Sequence, residues 1–585
     1  MNLKNQSPVQ PQPPSLPVPN LEQTIQRYLE RIEPLVSQEQ YDEAKTIADN
    51  FATGSAPGLH ASLEKYASDI AGNWLSDIWL DSYLESRSEL NSNINYLTIF
   101  DSELIPQRES FSQFLAGIVS AFMKVYLKVL DGSLAVESNR FGVLCMEQHR
   151  KVFSACRIPQ LERDELYLSD KTAADATIAV LFRNNIYIMT VTDSEGEIYS
   201  ISSISKKLET ILERSDSKDI NVGVMTTAQR DEAAGIYCHL CNLDDSNIES
   251  FAAIHSAVFA LCIDECVQRD TNQAILDMLH GKGENRWFDK CCQIIVGSDY
   301  SVGFNNEHSG YDAAIWMSVL KNVYNDLAGN LKDSEPIKDI SVRHLDWVID
   351  QKAQKVLQKM KEDDAARRKL LSMRTLVFED FGVRYIKELG VSPDGFFHLA
   401  LQLASYRVHG RLKSTYEAVS MRHFRQGRTE CMRPATSSVS RFIKALEDGC
   451  NRQELQNLAR AAMERHIEMI TECKSGEAPE RHLTGLMSMA SRDSVVLSAE
   501  EDILGCAASQ ILKNDIFSTS GIYAEGLKLF AFAPVVQDGY GVGYVVDSES
   551  IRACIGCFQE KSDSHDKLVE EFKNAFYELQ ELLSE

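Results

Sequence analysis

The chain has no apolar run long enough to cross a bilayer, so no membrane-spanning segment is expected. Positive charge is also scarce. The sequence has 60 Lys and Arg against 85 Asp and Glu, a formal net charge of −25. General nucleic-acid binding needs an extended basic face, and this balance excludes it. An anionic ligand must be held by a few local Lys or Arg residues. The 14 cysteines are scattered. Cys554 and Cys557 stand in a C-x-x-C, but no second pair follows at zinc spacing, so no metal site is expected. Reduced, mostly buried thiols in a cytosol-like compartment fit this usage. There is no P-loop, and Gly541-Val542-Gly543 is too short for a nucleotide fingerprint. No internal repeat is visible. Residues 1–19, MNLKNQSPVQPQPPSLPVP, lack the apolar core of a signal peptide and the arginines of a transit peptide. They are expected to be a Pro-rich disordered or extended lead-in. The chain ends LLSE, which is no peroxisomal address. A cytoplasmic location is the expectation.

What is present is ordinary for a soluble globular protein: 44% hydrophobic and 25% charged residues. A length of 585 residues exceeds what one core usually supports, so two large domains are expected. Leu21 to Val36 is helical in pattern, with Leu21, Ile25, Tyr28, Leu29 and Ile32 on one side, and helical character continues from Asn73 to Tyr83. Phe111 to Leu130 reads as a buried helix. Ala176 to Thr192 reads as a hairpin around Arg183-Asn184-Asn185. Val222 to Met225 reads as a buried strand. Gln351 to Met373 is a charged helix, and Ser392-Pro393-Asp394 starts another. Leu527 to Ala533 is a strand, Pro534 to Gly543 a Gly-rich turn region, and His565 to Leu583 an amphipathic terminal helix. Mixed strands and helices over this length give an α/β or α+β class with two sheets.

The most informative stretch is CCQIIVGSDYSVGFNNEHSGYD, from Cys291 to Asp312. Gln293 to Val296 and Tyr300 to Phe304 flank the turn formers Gly297, Ser298 and Asp299, which predicts a β-hairpin. A helical pattern begins near Ala313. His308 therefore falls on a strand-to-helix connection, a common place for chemistry. Its unperturbed pKa suits proton transfer near neutrality. Asp312, four residues on, either fixes the tautomer of the histidine or braces the loop. Taken alone, such a pair is more often a surface or capping pair.

Other stretches change that weighting. LPVPNLEQTIQRYL from Leu16, Asn73-Trp74-Leu75 with Trp79, and Cys156-Arg157-Ile158-Pro159 come first. Met225-Thr226-Thr227 with Arg230 and Asn285-Arg286-Trp287-Phe288-Asp289-Lys290 follow. In order and spacing, all of them resemble segments of the choline/carnitine O-acyltransferase family. EHSGYD around His308 resembles its catalytic segment. The resemblance runs from about Leu16 to near the C-terminus.

It implies an α/β fold of two chloramphenicol-acetyltransferase-like domains, with mixed sheets flanked by helices and an active-site tunnel at their interface. The domains implied are a helical segment, 20–85, packing with the C-terminal domain, then an N-terminal domain, 86–350, carrying His308, and a C-terminal domain, 351–585. His308 is implied as the general base. In Phe517-Ser518-Thr519-Ser520, Ser520 would stabilise the oxyanion and Ser518 help hold the acceptor. Tyr416, Thr429 and Arg481 match the residues that converge on the carboxylate of carnitine in the carnitine-using members, and choline-using members lack the arginine. Cys431 stands where carnitine members usually have Thr. Phe532 matches the aromatic facing the trimethylammonium group. Phe530, on the same side of its strand, matches the position that limits acyl-chain length. Lys387 and Asp394, within FGVRYIKELGVSPD, match residues that grip coenzyme A. Val383 and Gly390 replace two usual lysines there, with Arg384 beside the first.

The expected function is thus reversible transfer of a short acyl group, acetyl first, between coenzyme A and the hydroxyl of carnitine. The alternatives are choline O-acetyltransferase and a catalytically weak member that binds acyl-CoA. No permanently bound cofactor is expected, since coenzyme A is a co-substrate. Carnitine and acyl-CoA are the expected partners of a monomer that engages neither nucleic acid nor membrane.

Overall fold

The computed structural model describes residues 12–106, 108–170, 172–214, 216–219, 221–265, 270–281, 285–328, 337–558 and 562–584. Within them, two large mixed sheets are flanked by helices. The first has eight strands, in the order Val342–His344, Asn185–Thr190, Thr177–Phe182, Ala260–Asp264, Cys292–Gly297, Val302–Asn306, Tyr96–Phe100 and Leu527–Phe532. The second has six, in the order Leu371–Phe378, Ile551–Phe558, Tyr540–Val546, Phe517–Gly521, Thr415–Ser420 and Thr429–Met432.

Both predicted hairpins form. Thr177–Phe182 pairs antiparallel with Asn185–Thr190, and Arg183 and Asn184 take the positive φ of a tight primed turn. Cys292–Gly297 pairs antiparallel with Val302–Asn306, and the chain then loops through His308 into the helix Ala313–Ala328.

The strand Leu527–Phe532 ties the two halves together. It lies in sequence among strands of the second sheet, yet it closes the edge of the first by pairing with Tyr96–Phe100. The sheets therefore do not respect a boundary at residue 350. Its path also explains a misreading. Residues 534–543 are not all turn, because Tyr540–Val546 is a buried interior strand of the second sheet. Its glycines are there for contact rather than for turning. A Cβ on Gly541 would meet the carbonyl oxygen of Phe532 at 2.6 Å, and one on Gly543 would strike that of Phe530. Glycine lets the crossing strand lie directly on this sheet.

Three other expectations are corrected. Val222–Thr227 is a 3₁₀ turn rather than a strand. The side chain of Asn221 accepts from the N–H of Gly223, while the hydroxyls of Thr226 and Thr227 donate to carbonyls three residues back. Such local bonds outcompete a ladder. The charged helix ends at Leu370, and Leu371–Phe378 is an edge strand paired with Ile551–Phe558. The helix Phe111–Leu130 is, by length and composition, apolar enough to cross a membrane, contrary to the first reading. It is capped by Ser110, packs against Ile201–Arg214 and Ala313–Ala328, and sets Phe122 on Phe304 of the sheet at 5.5 Å. A helix covered on most sides is apolar all round.

Residues 12–19 are extended rather than disordered. Leu16 is buried, Trp74 Nε1 donates to the carbonyl of Pro17 at 3.1 Å, and Arg425 N donates to that of Pro14 at 2.7 Å. Residues 1–11 lie outside the described residues. The helices Leu21–Ile32, Ala56–Asp69 and Trp74–Leu84 pack on Pro479–Arg492, which brings Trp79 and Tyr83 to the second sheet.

Candidate active site

A cavity of about 480 Å³ is lined by residues of both sheets. Strand Tyr96–Phe100 and the His308 loop supply one wall. The strands Thr415–Ser420 and Phe517–Gly521 of the second sheet supply the other, Phe530 and Phe532 of Leu527–Phe532 line the cavity beside Tyr96, and Trp79 and Tyr83 line it as well.

His308 is half-buried on this wall. Its Nδ1 lies 2.8 Å from the carbonyl oxygen of Tyr311. A carbonyl can only accept, so Nδ1 carries the proton and Nε2 keeps its lone pair. Burial pushes the pKa of His308 below the ordinary histidine value, so the ring is a neutral base at neutral pH. The tautomer is therefore set by a backbone carbonyl, and Asp312 has the other task. Asp312 Oδ2 accepts from Arg428 Nε at 3.0 Å, and the same guanidinium donates to the carbonyls of Ser309, at 2.6 Å, and His308, at 3.0 Å. One buried cation thus holds three points of the loop. Glu307 adds two more, accepting from Ser309 N at 3.1 Å and Ser309 Oγ at 2.6 Å, and it lies 3.5 Å from Arg157. Behind it, Asp164 pairs with both Arg157 and Arg230 at 2.6 Å. Despite its burial, those two guanidiniums hold Asp164 below the usual carboxylate range.

Ser518 and Ser520 share one face of their strand, by its period of two, and line the cavity. Thr519 between them donates to the carbonyl of Tyr416 at 2.7 Å and to the Glu417 carboxylate. Tyr416 and Thr429 line the cavity as well. Arg481 stands against both: Nη2 donates to the Tyr416 hydroxyl at 3.0 Å and Nε to the carbonyl of Thr429 at 3.0 Å. Its guanidinium lies 3.8 Å over the Trp79 ring. Its acidic neighbour Glu430 is 4.0 Å away, and burial pushes that carboxyl up to about 7. The positive charge of Arg481 is therefore incompletely neutralised from within. Cys431 is buried beside this group.

Phe530 and Phe532 line the cavity 5.5 Å apart, held by the register that sets Thr98 opposite Phe530 and Tyr96 opposite Phe532. The two remaining predicted residues lie elsewhere. Lys387 is exposed on the short helix Val383–Glu388, and Asp394 opens the helix Pro393–His409. Asp394 accepts from His466 and from the Tyr544 hydroxyl, each at 2.7 Å, and neither Lys387 nor Asp394 is part of the cavity wall. Arg384 is exposed and paired with Glu549 at 2.9 Å.

Three residues of the site were not singled out from the sequence as site residues. Tyr83 lies tilted against His308, ring centres 5.3 Å apart, and the signal for it is its position four residues after Trp79 on one helix. Arg428 reaches the His308 loop from a distant part of the chain, and no local pattern marks it. Tyr96, 5.1 Å from His308, carried no local signal.

Comparison with known proteins agrees with this geometry. The family description "Choline/Carnitine o-acyltransferase" matches residues 16–578. A mitochondrial carnitine O-palmitoyltransferase 2 of Macaca fascicularis is 31% identical, over 93% of this chain and 87% of its own length. A carnitine O-acetyltransferase of Rattus norvegicus is 31% identical, over 91% and 87%. A peroxisomal carnitine O-octanoyltransferase of Bos taurus is 28% identical, over 97% and 96%. These relatives span short, medium and long acyl chains while sharing the scaffold. With the match covering nearly the whole sequence, the chain belongs to the choline/carnitine O-acyltransferase family.

Proposed function

We propose that the chain is a coenzyme-A-dependent carnitine O-acyltransferase for short acyl groups, acetyl first among them. The observation that carries this reading is the pairing of a neutral base with a carboxylate site: the free Nε2 of His308 on one wall, and Arg481 with Tyr416 and Thr429 on the other.

In this mechanism coenzyme A and carnitine meet in the cavity, which serves as a tunnel between the two sheets. Nε2 of His308 takes the proton of the carnitine hydroxyl as its oxygen attacks the thioester carbon. The C–S bond then breaks, and the imidazolium returns the proton to the thiolate. Ser520 stabilises the tetrahedral oxyanion, and Ser518 helps hold the acceptor. Arg481, through its fork and with Tyr416 and Thr429, holds the carboxylate. Phe532 presents its face to the trimethylammonium group. Two aligned substrates and one base suffice, with no acyl-enzyme. Lys387 and Asp394 contribute to coenzyme A binding outside the cavity. The direct test is product identity: acetyl-CoA and carnitine give O-acetylcarnitine by mass, and its absence overturns the reading.

The pH dependence follows from His308. Only the neutral ring is a base, and its pKa lies below about 6.5. The kcat/KM profile therefore stays level through neutrality and loses activity as pH falls below an apparent pKa under 6.5. A limb centred above 7 would contradict this.

Phe530→Gly tests chain length. Phe530 is 3% exposed and fills the cavity beside Phe532 and Tyr96. Removing the ring opens room, and each extra buried methylene adds about 0.8 kcal/mol of favourable transfer. The ratio of kcat/KM for octanoyl-CoA over acetyl-CoA rises in the variant, with some loss of stability from the cavity. An unmoved ratio, or a parent that already prefers octanoyl-CoA, would show that Phe530 does not set the length.

Val383→Lys is expected to tighten coenzyme A by adding a cation near its phosphates. Val383 is half-buried at the start of its helix. Calorimetry reads the change, and an unchanged dissociation constant would mean that another residue already does this work.

A further inference from the structure

The strand that carries both serines parts from one neighbour where Ser520 sits. Phe517–Gly521 pairs parallel with Thr415–Ser420 only from Thr415 opposite Phe517 to Glu417 opposite Thr519. Phe517 N donates to the carbonyl of Ser414 at 3.0 Å, and the amides of alternate residues, Thr519 and Gly521, face the same side. The pairing ends at Thr519, and there the side chain of Glu417 takes over. Its Oε1 accepts from Gly521 N at 3.3 Å, and its Oε2 accepts from the Thr519 hydroxyl. One carboxylate thus grips the residue before Ser520 and the residue after it.

Glu417 is itself held from behind. It is 5% exposed, and Tyr416, Ala418 and Ser420 line the cavity, so by the period of a strand Glu417 points away from it. Its Oε1 also accepts from the Tyr544 hydroxyl at 3.2 Å, and His398 Nε2 lies 3.3 Å from Oε2. The Tyr544 hydroxyl is shared with Asp394 at 2.7 Å, and His466 meets the other oxygen of Asp394 at 2.7 Å. The Tyr544 ring stacks on Phe397, ring centres 3.8 Å apart. A Cβ on Gly521 would meet the Tyr544 ring at 2.5 Å, so glycine is what lets the strand end reach Glu417.

Such an arrangement aims a hydroxyl without touching a ligand. A carboxylate accepts several hydrogen bonds at once and holds them more strongly than a neutral acceptor. An oxyanion donor works only when it points to where charge develops, so a shift of its strand end takes it out of line. On the far edge, pairing with Tyr540–Val546 sets Ser520 opposite Gly543. With Glu417 in place, the strand end is held on both edges.

Resting on the proposed acyl-transfer reading, in which Ser520 stabilises the oxyanion, we propose that Glu417 is a positioning residue whose carboxylate clamps Thr519 and Gly521 and so holds the Ser520 hydroxyl on the reacting oxygen. Glu417 touches no substrate and acts through Ser520. Its loss therefore lowers turnover and leaves substrate binding alone.

The test is a double-mutant cycle on the full chain. Glu417→Gln keeps the size of the side chain and one of its two acceptors, and Glu417→Leu removes both. Each is made in the parent and in Ser520→Ala, with thermal unfolding as the check on folding. Loss of a whole oxyanion donor costs about 10²–10³-fold, so in the parent Glu417→Gln lowers kcat with acetyl-CoA and carnitine about tenfold, and both KM values stay within about twofold. Glu417→Leu lowers kcat further. In Ser520→Ala the same substitutions cost about twofold or less, because the group they act through is gone. An equal fall in both backgrounds, or a change in KM in place of kcat, would overturn the inference. If Glu417→Leu does not fold, the Glu417→Gln cycle decides by the same criterion. Amide hydrogen exchange reads the clamp without turnover: exchange of residues 517–521 rises about tenfold in Glu417→Gln, while that of residues 429–432 does not change. Unchanged exchange at 517–521 would overturn the clamp. Raised exchange with Ser520→Ala as active as the parent would leave the clamp standing and remove Ser520 from the reaction proposed above.

Discussion

Replacing His308 with Ala is expected to cost turnover on the order of 10²–10⁴-fold, the usual contribution of a positioned general base. Affinity for acyl-CoA, read by calorimetry, is expected to stay near that of the parent. The separation follows from how the loop is held. The imidazole makes one bond to its own loop, through Nδ1 to Tyr311. The loop itself is fixed by Arg428 at Asp312, Ser309 and His308 O, and by Glu307 at Ser309. None of those bonds needs the ring. The variant should therefore fold, bind thioester and fail at proton transfer. Activity close to the parent's would remove His308 from the mechanism. Lost affinity together with lost activity would point to a collapsed loop instead.

Arg481→Asn should raise the KM for carnitine strongly. Losing a hydrogen bond to a charged group costs about 1.5–3 kcal/mol, on the order of ten- to hundredfold in affinity. Choline has no carboxylate, so its weaker use should change little. The argument rests on the electrostatics of the arginine. It is buried over Trp79, and its acidic neighbour Glu430 is pushed up to about 7 by burial, which leaves positive charge for a substrate anion. Kinetics with both acceptors on the same preparation make the comparison internal. An equal penalty for carnitine and choline would mean that Arg481 acts only by holding Tyr416 and the fold.

Much of this site was legible in the chain where local rules decide. The His308 hairpin followed from alternation around three turn formers, and the shared side of Phe530 and Phe532 from the period of a strand. The helix behind Ser392-Pro393-Asp394 followed from its cap, and Ser392 does accept from Gly395 N. Convergence across the chain was not legible from local pattern. Arg428 reaches Asp312 over a separation of 116 residues, and Arg481 reaches Tyr416 over 65. The second of these was reached only through resemblance, and the first was missed. Gly541 and Gly543 read as turn residues because the backbone that crosses them, at Phe530 and Phe532, cannot be seen from their own neighbourhood. Tyr96 had no signal, since its place beside His308 comes from a pairing of Tyr96 with both Asn306 and Phe532.

The most direct measurement is free-thiol release from acetyl-CoA with carnitine and choline offered separately to the purified protein. Release that depends on carnitine, with choline used at least tenfold less efficiently, is the result expected from a neutral His308 facing a carboxylate site built on Arg481, on the order of one charge-assisted hydrogen bond. Equal use of the two acceptors, a preference for choline, or no acceptor-dependent thiol at all would contradict it.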